Sequence, residues 1–325
     1  MRFGKVVLAA ALSTALLAGC ASTGGDAGSG SSEGGEGQKT IYLVSKGFQH
    51  RFWQAVKEGA EKAGAENGYK VEFVGPENEQ QVNQQLDQLK IALNSKPAAI
   101  GFAALDSGAA EPILMQIKAA GIPVVAFDSG VDSDIPVTTV QTDNKAAAAA
   151  AAEKMAEKLG NQGTVGLVCH DQTSQTGKER CFGFKDWLKE NAPNIKVIDE
   201  QYAGEAGKAA DAAKALLTAN PDIVGIYGTN EAAATGVVQG VQEAGKTGNV
   251  MIIGFDSGKA QIDAIRSGLE AGAITQSPVK MGYETVMSAI KAIKGESLEK
   301  VIDSGFVYYD KDNMDSDEVK PNLYE

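Results

Sequence analysis

One tetrapeptide occurs twice in the chain, as Phe127-Asp128-Ser129-Gly130 and as Phe255-Asp256-Ser257-Gly258. Each copy follows a short apolar run, residues 122–126 in the first case and 250–254 in the second. Apolar runs of this length between helical patterns are typical of buried parallel strands. An aspartate just past such a strand lies at the carboxyl edge of the sheet, where open α/β folds bind ligands. The repeat therefore predicts two α/β units that each present a carboxylate.

Strand and helix patterns alternate on both sides of this repeat. The alternation runs from Ile41 to Phe127, includes a helix that we expect from Glu79 to Asn94, and restarts at Val165. It predicts parallel sheets with right-handed crossovers, and 325 residues suit two domains. We expect the chain to cross between the units near residues 142–143 and its last helix to pack back on the first unit. The acidic segment 310–318 is interpreted as a solvated terminus.

The charge balance argues against nucleic acid as a partner. The chain has 42 acidic and 30 basic residues, a formal net charge of −12, and no cluster of Lys and Arg for phosphate contacts. It also lacks a Walker phosphate loop, a nucleophile elbow and the zinc-protease helix motif. Its two histidines are too few for most metal sites. We therefore expect no catalytic residues, no metal and no cofactor.

The N-terminal segment has the pattern of an export signal. Two basic residues precede an apolar run, residues 6–18, that is too short to span a membrane. The run leads into Leu17-Ala18-Gly19-Cys20, which resembles the bacterial lipoprotein signal. That resemblance implies that residues 1–19 are removed and that Cys20 carries lipid; an ordinary signal peptide with an incidental cysteine is the alternative. Residues 20–38, rich in Gly, Ser and Glu, are predicted to form a flexible tether.

Two further cysteines, Cys169 and Cys181, flank one loop between a strand and a helix. An exported protein meets oxidising conditions, so a disulfide between these residues is allowed. Two buried thiols are the alternative. The separation of the Cα atoms decides between them, and the sequence does not reveal it.

The loop after the first strand places aromatic residues at a sheet edge, in the run Phe48-Gln49-His50-Arg51-Phe52-Trp53. Aromatic rings offer flat apolar faces on which the C–H faces of sugars stack. Packing of Phe52 and Trp53 under the first helix is the alternative interpretation.

With this loop and the stretches 121–128, 216–222, 254–256 and 273–276, the chain from Lys39 onward resembles bacterial substrate-binding proteins for simple sugars, of the ribose- and galactose-binding type. The resemblance implies the type I periplasmic binding protein fold, with two doubly wound parallel-sheet lobes joined by a hinge. The N-terminal lobe would comprise residues 39–142 plus 277–305, and the C-terminal lobe residues 143–276 plus 306–325.

The resemblance also implies a sugar pocket. Matched position by position, its residues are His50, Phe52, Trp53, Asp128, Ser129, Arg180, Asn230, Asp256 and Gln276. His50 stands where the ribose-type pocket has Asn, Ser129 stands where it has Arg, and Gly204 falls near a stacking Phe. These departures favour a ketohexose or an unusual aldose at least as much as ribose. A surface ion pair for Arg180 and a helix cap for Asn230 are the alternatives.

The implied function is that of a monomeric, exported receptor that is attached to the membrane only by its lipid. It would capture a monosaccharide, namely a ketohexose, another hexose or a pentose, and deliver it to an ABC transporter permease. A receptor subunit for signalling and a sugar-processing enzyme are the alternatives. A lactose-repressor-type regulator shares this core but needs a basic N-terminal helix-turn-helix, and this chain has an apolar signal there.

Overall fold

The structure is a computed structural model that describes residues 39–48 and 50–324. The predicted signal peptide, the lipidation site at Cys20 and the tether lie outside the described residues and stay predictions. Within the described ranges, no helix is both long enough and apolar enough to cross a membrane.

The first lobe contains a sheet whose described strands all run parallel. Numbered in chain order, its elements are β1 (Thr40–Val44), α1 (Arg51–Glu66), β2 (Lys70–Val74), α2 (Val82–Asn94), β3 (Ala99–Phe102), α3 (Glu111–Ala119), β4 (Val124–Phe127), β5 (Thr138–Gln141), α9 (Pro278–Ile293) and β12 (Val301–Asp303). The strand order is β2-β1-β3-β4-β5-β12. Helices α1 and α9 pack on one face of the sheet, and α2 and α3 pack on the other.

The second lobe repeats this plan. Its elements are α4 (Asn144–Lys158), β6 (Gly163–Cys169), α5 (Gln175–Asn191), β7 (Ile195–Val197), β8 (Gln201–Tyr202), α6 (Ala206–Ala219), β9 (Ile223–Gly228), α7 (Glu231–Glu243), β10 (Met251–Phe255), α8 (Lys259–Ser267), β11 (Gly272–Gln276) and β13 (Phe306–Tyr309). The strand order is β7-β6-β9-β10-β11-β13, with β8 also paired to β6. The edge strand β13 is antiparallel to β11, and the other pairs are parallel. The predicted α/β class with two parallel-sheet lobes is confirmed.

The chain passes between the two sheets three times within the described residues. It crosses after β5 at residues 142–143, after β11 at Ser277, and after β12 at residues 304–305. The hydroxyl of Thr142 donates to Oε1 of Gln276 at 2.9 Å and lies 3.4 Å from Oγ of Ser304. One side chain thus ties the three crossings together at the hinge. The crossings support the predicted lobe boundaries, which remain our proposal.

Most side chains of the acidic segment 310–318 are exposed, as predicted for a solvated terminus, but the segment is anchored to the body by Met314 within it and by Val319 and Tyr324 beyond it. Met314 and Val319 are each 1% exposed and pack with Ile262 in the core of the second lobe. Tyr324 is also buried, and its Oη accepts a hydrogen bond from the backbone N–H of Ser257 at 3.1 Å. Because single apolar residues are spaced among charged ones, the acidic composition of the segment does not indicate which of its residues are buried.

Helices α1 and α9 cross at two glycines, which leads to a first prediction. A Cβ on Gly282 would overlap the carbonyl oxygen of Val56, and one on Gly59 would overlap that of Val279. Gly282→Ala should therefore lower the free energy of unfolding by about 2 kcal/mol, because the helices must separate. Gly207→Ala is the control, since that helical glycine has open space around it and should gain up to about 1 kcal/mol. Urea unfolding measures both; equal stability of the two variants would contradict the predicted close crossing.

Candidate functional site

A small cavity lies between the lobes, where the carboxyl ends of the strands of both sheets meet. The cavity is lined by Lys46, His50, Phe52, Trp53, Glu79 and Asp128 from the first lobe and by His170, Arg180, Asn230, Asp256 and Gln276 from the second. Eight of the nine residues predicted from the sequence are brought together here.

Ser129 is the exception among the predicted pocket residues. It is fully buried, it is not part of the cavity wall, and its Oγ has no hydrogen-bond partner among the described residues. Ser129 therefore does not face the cavity, and its contact with a ligand stays a prediction. The tight turn at Asp128 explains the difference: it directs the carboxylate to the cavity, and the next side chain is enclosed by protein.

The two repeated aspartates share an uncommon backbone conformation. The φ angle is 56° at Asp128 and 82° at Asp256, both in the left-handed region. The backbone N–H of Asp128 donates to Val140 O at 2.9 Å, and that of Asp256 donates to Ile274 O at 2.6 Å. Aspartate tolerates this region better than most residues, and such strain concentrates at functional sites. The repeated tetrapeptide thus builds the same turn in each lobe and presents a carboxylate from each.

Arg180 is held from several sides in the second lobe. Its Nε donates to Oδ1 of Asn144 at 2.7 Å, and its Nη1 donates to the carbonyl of Thr229 at 3.3 Å. The guanidinium lies 3.8 Å from the ring centroid of Phe255, and Nη1 lies 3.9 Å from Oδ2 of Asp256. Arg180 is 3% exposed, so the predicted alternative of a surface ion pair does not apply. The arrangement fixes a planar donor group at the cavity wall.

Asn230, Asp256 and Gln276 form the remaining polar wall of the second lobe. Oδ1 of Asn230 caps α7 by accepting from Ala233 N at 2.9 Å, so the helix-cap interpretation holds, and Asn230 also lines the cavity. Gln276 Nε2 donates to Oδ1 of Asp256 at 2.7 Å. Glu231 N donates to Oδ2 of the same carboxylate at 3.0 Å. These bonds fix the amide and carboxylate groups before any ligand arrives.

The aromatic wall comes from the start of α1. Phe52 and Trp53 are in edge-to-face contact, with ring centroids 4.9 Å apart, and Trp53 packs in the same way on Phe127. The indole Nε1 of Trp53 donates to Oε1 of Glu79 at 2.9 Å. Both rings belong to the core and also line the cavity. Phe52 and Trp53 can therefore both pack under the first helix and face a ligand.

Three cavity residues were not predicted from the sequence: Lys46, Glu79 and His170. Lys46 and His170 stand just after β1 and β6, at the same kind of position as the two aspartates, and that position is the signal that could have identified them. The sequence pattern predicts that Glu79 begins the second helix, but α2 begins only at Val82 and Glu79 lies in the preceding turn. From that turn the carboxylate of Glu79 accepts the hydrogen bond from the indole of Trp53.

Burial and nearby charges shift the ionisation of the cavity groups. Burial raises the pKa of Asp128 to about 6, although Lys46 and Arg180 oppose the shift. Burial also lowers the pKa of His170 to about 4, so its imidazole is neutral at pH 7. Burial acts to raise the pKa of Glu79, but Lys46, the two histidines and the hydrogen bond from Trp53 together outweigh it and lower the pKa. The wall thus combines three acidic side chains, Glu79, Asp128 and Asp256, with two basic ones, Lys46 and Arg180.

The two lobes are in contact at the rim of the cavity. The backbone N–H of Ser107 donates to Thr173 O at 3.2 Å, and the hydroxyl of Thr173 donates to Leu105 O at 3.1 Å. The N–H of Gly130 donates to Oε1 of Gln175 at 2.8 Å. Because these bonds join the first lobe to the second, the structure represents a closed cleft.

A disulfide joins Cys169 and Cys181, whose Cα atoms are 5.7 Å apart. It links the end of β6 to α5 beside the cavity, since Cys169 precedes His170 and Cys181 follows Arg180. Of the two possibilities that the sequence leaves open, the structure contains the bonded one.

The chain is similar to known binding proteins over most of its length. The family model described as periplasmic binding protein domain matches residues 41–297. The D-ribose/D-allose-binding protein of Pseudomonas aeruginosa is 27% identical over 268 residues, which cover 80% of this chain and 83% of the relative.

Solved structures agree with this similarity. An ABC transporter solute-binding protein from Agrobacterium vitis, bound with α-D-tagatopyranose, is 29% identical with a TM-score of 0.85, covering 88% of this chain and 99% of that one. A carbohydrate transporter solute-binding protein from Agrobacterium radiobacter, in complex with D-arabinose, is 31% identical with a TM-score of 0.85 and covers 89% and 99%.

Proposed function

The chain belongs to the periplasmic binding protein domain family, and from this premise we propose that it is the sugar-binding subunit of an ABC importer. The observation that carries the proposal is the cavity between the lobes, where hydrogen-bonding side chains from both sheets face an aromatic wall. A sugar hydroxyl is both donor and acceptor. Asp128 and Asp256 would accept from hydroxyls, while Arg180 and Asn230 would donate to sugar oxygens.

We propose a neutral monosaccharide as the ligand. Lys46 and Arg180 each lie 3.9 Å from a carboxylate oxygen, so neither permanent cation is left without a countercharge. A sugar acid or sugar phosphate would bring further negative charge to a wall that already has more carboxylates than cations. The relatives named above support a pentose, an aldohexose or a ketohexose, in agreement with the range expected from the sequence.

A thermal-shift screen tests the ligand class. D-ribose, D-allose, D-arabinose, D-tagatose and D-galactose would each be added to the purified protein. A ligand at a hundred times its Kd adds about 2.7 kcal/mol of stability, which shifts the melting temperature by several degrees. D-galacturonate is the charged control for D-galactose and should give no shift. If no neutral monosaccharide raises the melting temperature, the proposed ligand class is wrong.

We further propose that the protein binds its sugar without turnover and acts outside the cytoplasm. Asp256 is occupied by hydrogen bonds from Gln276 and Glu231, which suits an acceptor better than a proton carrier. Lipid on Cys20 and the tether of residues 20–38 would hold the monomer near its permease. Mass spectrometry of the sugars after incubation with the protein should show no product. The substitution Cys20→Ser should release the protein from the membrane fraction. A receptor subunit for signalling differs only in its partner.

A further inference from the structure

We propose that the disulfide between Cys169 and Cys181 sets the sugar affinity of the cavity. It does so by holding His170 and Arg180 where they line the cavity, so that the oxidised protein binds sugar more tightly than the same fold with two free thiols. The inference rests on the proposed sugar-binding function and adds to it a dependence on redox state. Because disulfides persist in oxidising compartments and are rare in the cytosol, tight binding would be a property of the exported protein.

The bond closes the segment that contributes two cavity residues. His170 and Arg180 both line the cavity, and each is the chain neighbour of a bonded cysteine. Cys169 and Cys181 are 12 positions apart, their Cα atoms are separated by 5.7 Å, and both residues are fully buried. The chain therefore leaves the end of β6 at His170, makes a turn and returns along α5 to Arg180 inside one covalent ring.

The two cavity residues meet on Thr229, in the turn between β9 and α7. The backbone N–H of His170 donates to Oγ1 of Thr229 at 2.8 Å, and its ring Nδ1 lies 2.7 Å from the same oxygen. Nη1 of Arg180 donates to the carbonyl oxygen of Thr229 at 3.3 Å. Both contacts therefore depend on the distance between the end of β6 and α5, which the disulfide fixes.

Local hydrogen bonds shape the turn between the two cysteines. Oδ1 of Asp171 accepts from the backbone N–H groups of Thr173 and Ser174 at 2.9 and 2.8 Å. Oγ of Ser174 accepts from the N–H of Gly177 at 3.0 Å and caps α5. Because these bonds join residues within the ring, they would survive an outward movement of α5 and would not by themselves prevent it.

Burial of Arg180 favours such an outward movement when the bond is absent. The guanidinium is 3% exposed, and Oδ2 of Asp256 is 3.9 Å away, beyond hydrogen-bonding distance. A buried charge that is incompletely paired lacks solvation that water would restore. Without the bond, α5 could shift until the guanidinium is hydrated. The position of Arg180 would then have to be restored when the sugar binds, and this ordering reduces the affinity.

Isothermal titration of cysteine variants tests the effect on affinity. All proteins carry Cys20→Ser, so that Cys169 and Cys181 are the only cysteines. The titrant is whichever of D-ribose, D-allose, D-arabinose and D-tagatose binds the oxidised protein most tightly. The double substitution Cys169→Ala and Cys181→Ala should raise Kd about tenfold or more, because two cavity residues must then be ordered on binding. Its melting temperature should fall by about 5 °C.

Leu217→Ala is the matched control for loss of stability. Leu217 is 5% exposed and packs in a different core cluster of the same lobe from the two cysteines. Its truncation should also lower the melting temperature but should leave Kd unchanged. A Kd for the folded double variant within about threefold of that of Leu217→Ala would overturn the proposal.

A redox titration is an independent measurement that keeps both sulfur atoms. Dithiothreitol breaks the S–S bond: two electrons and two protons pass to the sulfurs, which become thiols, while dithiothreitol closes to its cyclic disulfide. Equilibrium is approached from oxidised and from reduced protein, with and without saturating sugar, and alkylated thiols are counted by mass spectrometry. By linkage, sugar should shift the equilibrium toward the disulfide by the ratio of the two Kd values; a tenfold ratio corresponds to about 30 mV.

The redox titration decides the question even if the double alanine variant fails to fold. Equal redox equilibria with and without sugar would overturn the proposal. Near-UV circular dichroism shows whether the dithiol form is folded; an unfolded dithiol form would mean that the bond maintains the whole fold, and it would overturn the proposal as well. If the oxidised protein binds none of the four sugars, the proposed function fails and this inference falls with it.

Discussion

Arg180→Ala should abolish measurable sugar binding, with a Kd at least about a thousandfold higher than that of the wild type. The change removes the cavity's planar donor and leaves the carboxylate of Asp256 without its cation, 3.9 Å away. It also leaves the carbonyl of Thr229 and Oδ1 of Asn144 without the donors they have now. Breaking a buried pair by removing one partner is strongly destabilising, so the melting temperature of the sugar-free protein should also fall.

Arg180→Lys distinguishes loss of charge from loss of geometry. Lysine keeps the positive charge but cannot donate to Asn144 and Thr229 together in the fixed fork of a guanidinium. We expect it to recover part of the stability and little of the affinity. Lys189→Ala, an exposed change on the same helix, is the control and should leave Kd unchanged. Isothermal titration measures the affinities; sugar binding by Arg180→Ala within tenfold of the wild type would contradict the proposed pocket.

The repeated tetrapeptide predicts the fold correctly because the pattern depends only on neighbouring residues. A buried strand followed by an aspartate specifies both a sheet edge and a polar group there, and the structure places Asp128 and Asp256 at corresponding edges of the two sheets. The same local rule applies to Lys46 and His170, which also follow strands. A polar residue after a strand is common, however, and only the closed arrangement of the lobes shows which ones face the same space.

Other features depend on geometry that no local pattern contains. Glu79 continues an apparent helical period, but the chain starts α2 three residues later, and the carboxylate is free to accept from Trp53. Ser129 follows a residue with positive φ, so a one-residue match to the family pocket does not carry its side chain to the cavity. The pairing of Cys169 with Cys181 depends on a Cα separation that the sequence leaves undetermined.

Glu270→Gln should stabilise the protein at alkaline pH by up to about 5 kcal/mol while leaving its stability at pH 4.5 nearly unchanged. Glu270 is 1% exposed. Its Oε1 accepts from Nε2 of Gln261 at 3.2 Å, and its Oε2 has no partner among the described residues. The pair fills the space beside Gly254 of β10, two residues before Asp256. A negative charge on Glu270 would therefore lie beside β10, the strand that leads into the cavity residue Asp256.

The sign of the effect follows from proton linkage. Burial raises the pKa of Glu270 from its usual 4.5 to about 8, although the bond from Gln261 opposes the shift. Between these two values the folded protein keeps the proton and the unfolded chain has lost it. The stability that the protonated acid contributes is therefore complete below pH 4.5 and is lost as the pH rises through 8. Glutamine has the shape of the protonated acid and does not titrate, so Glu270→Gln should not show this loss.

Urea unfolding of wild type and variant at pH 5, 7 and 9 measures the difference directly. Burial also raises the pKa of Asp128 to about 6 and that of Glu231 to about 7, so the wild-type profile alone would not identify Glu270. Those groups are common to both proteins and cancel when one free energy is subtracted from the other. Glu296→Gln removes the same charge at an exposed position and should give a profile parallel to the wild type. Parallel profiles for Glu270→Gln as well would mean that the carboxyl group is already ionised in the folded protein, with water or a rearranged Gln261 solvating it.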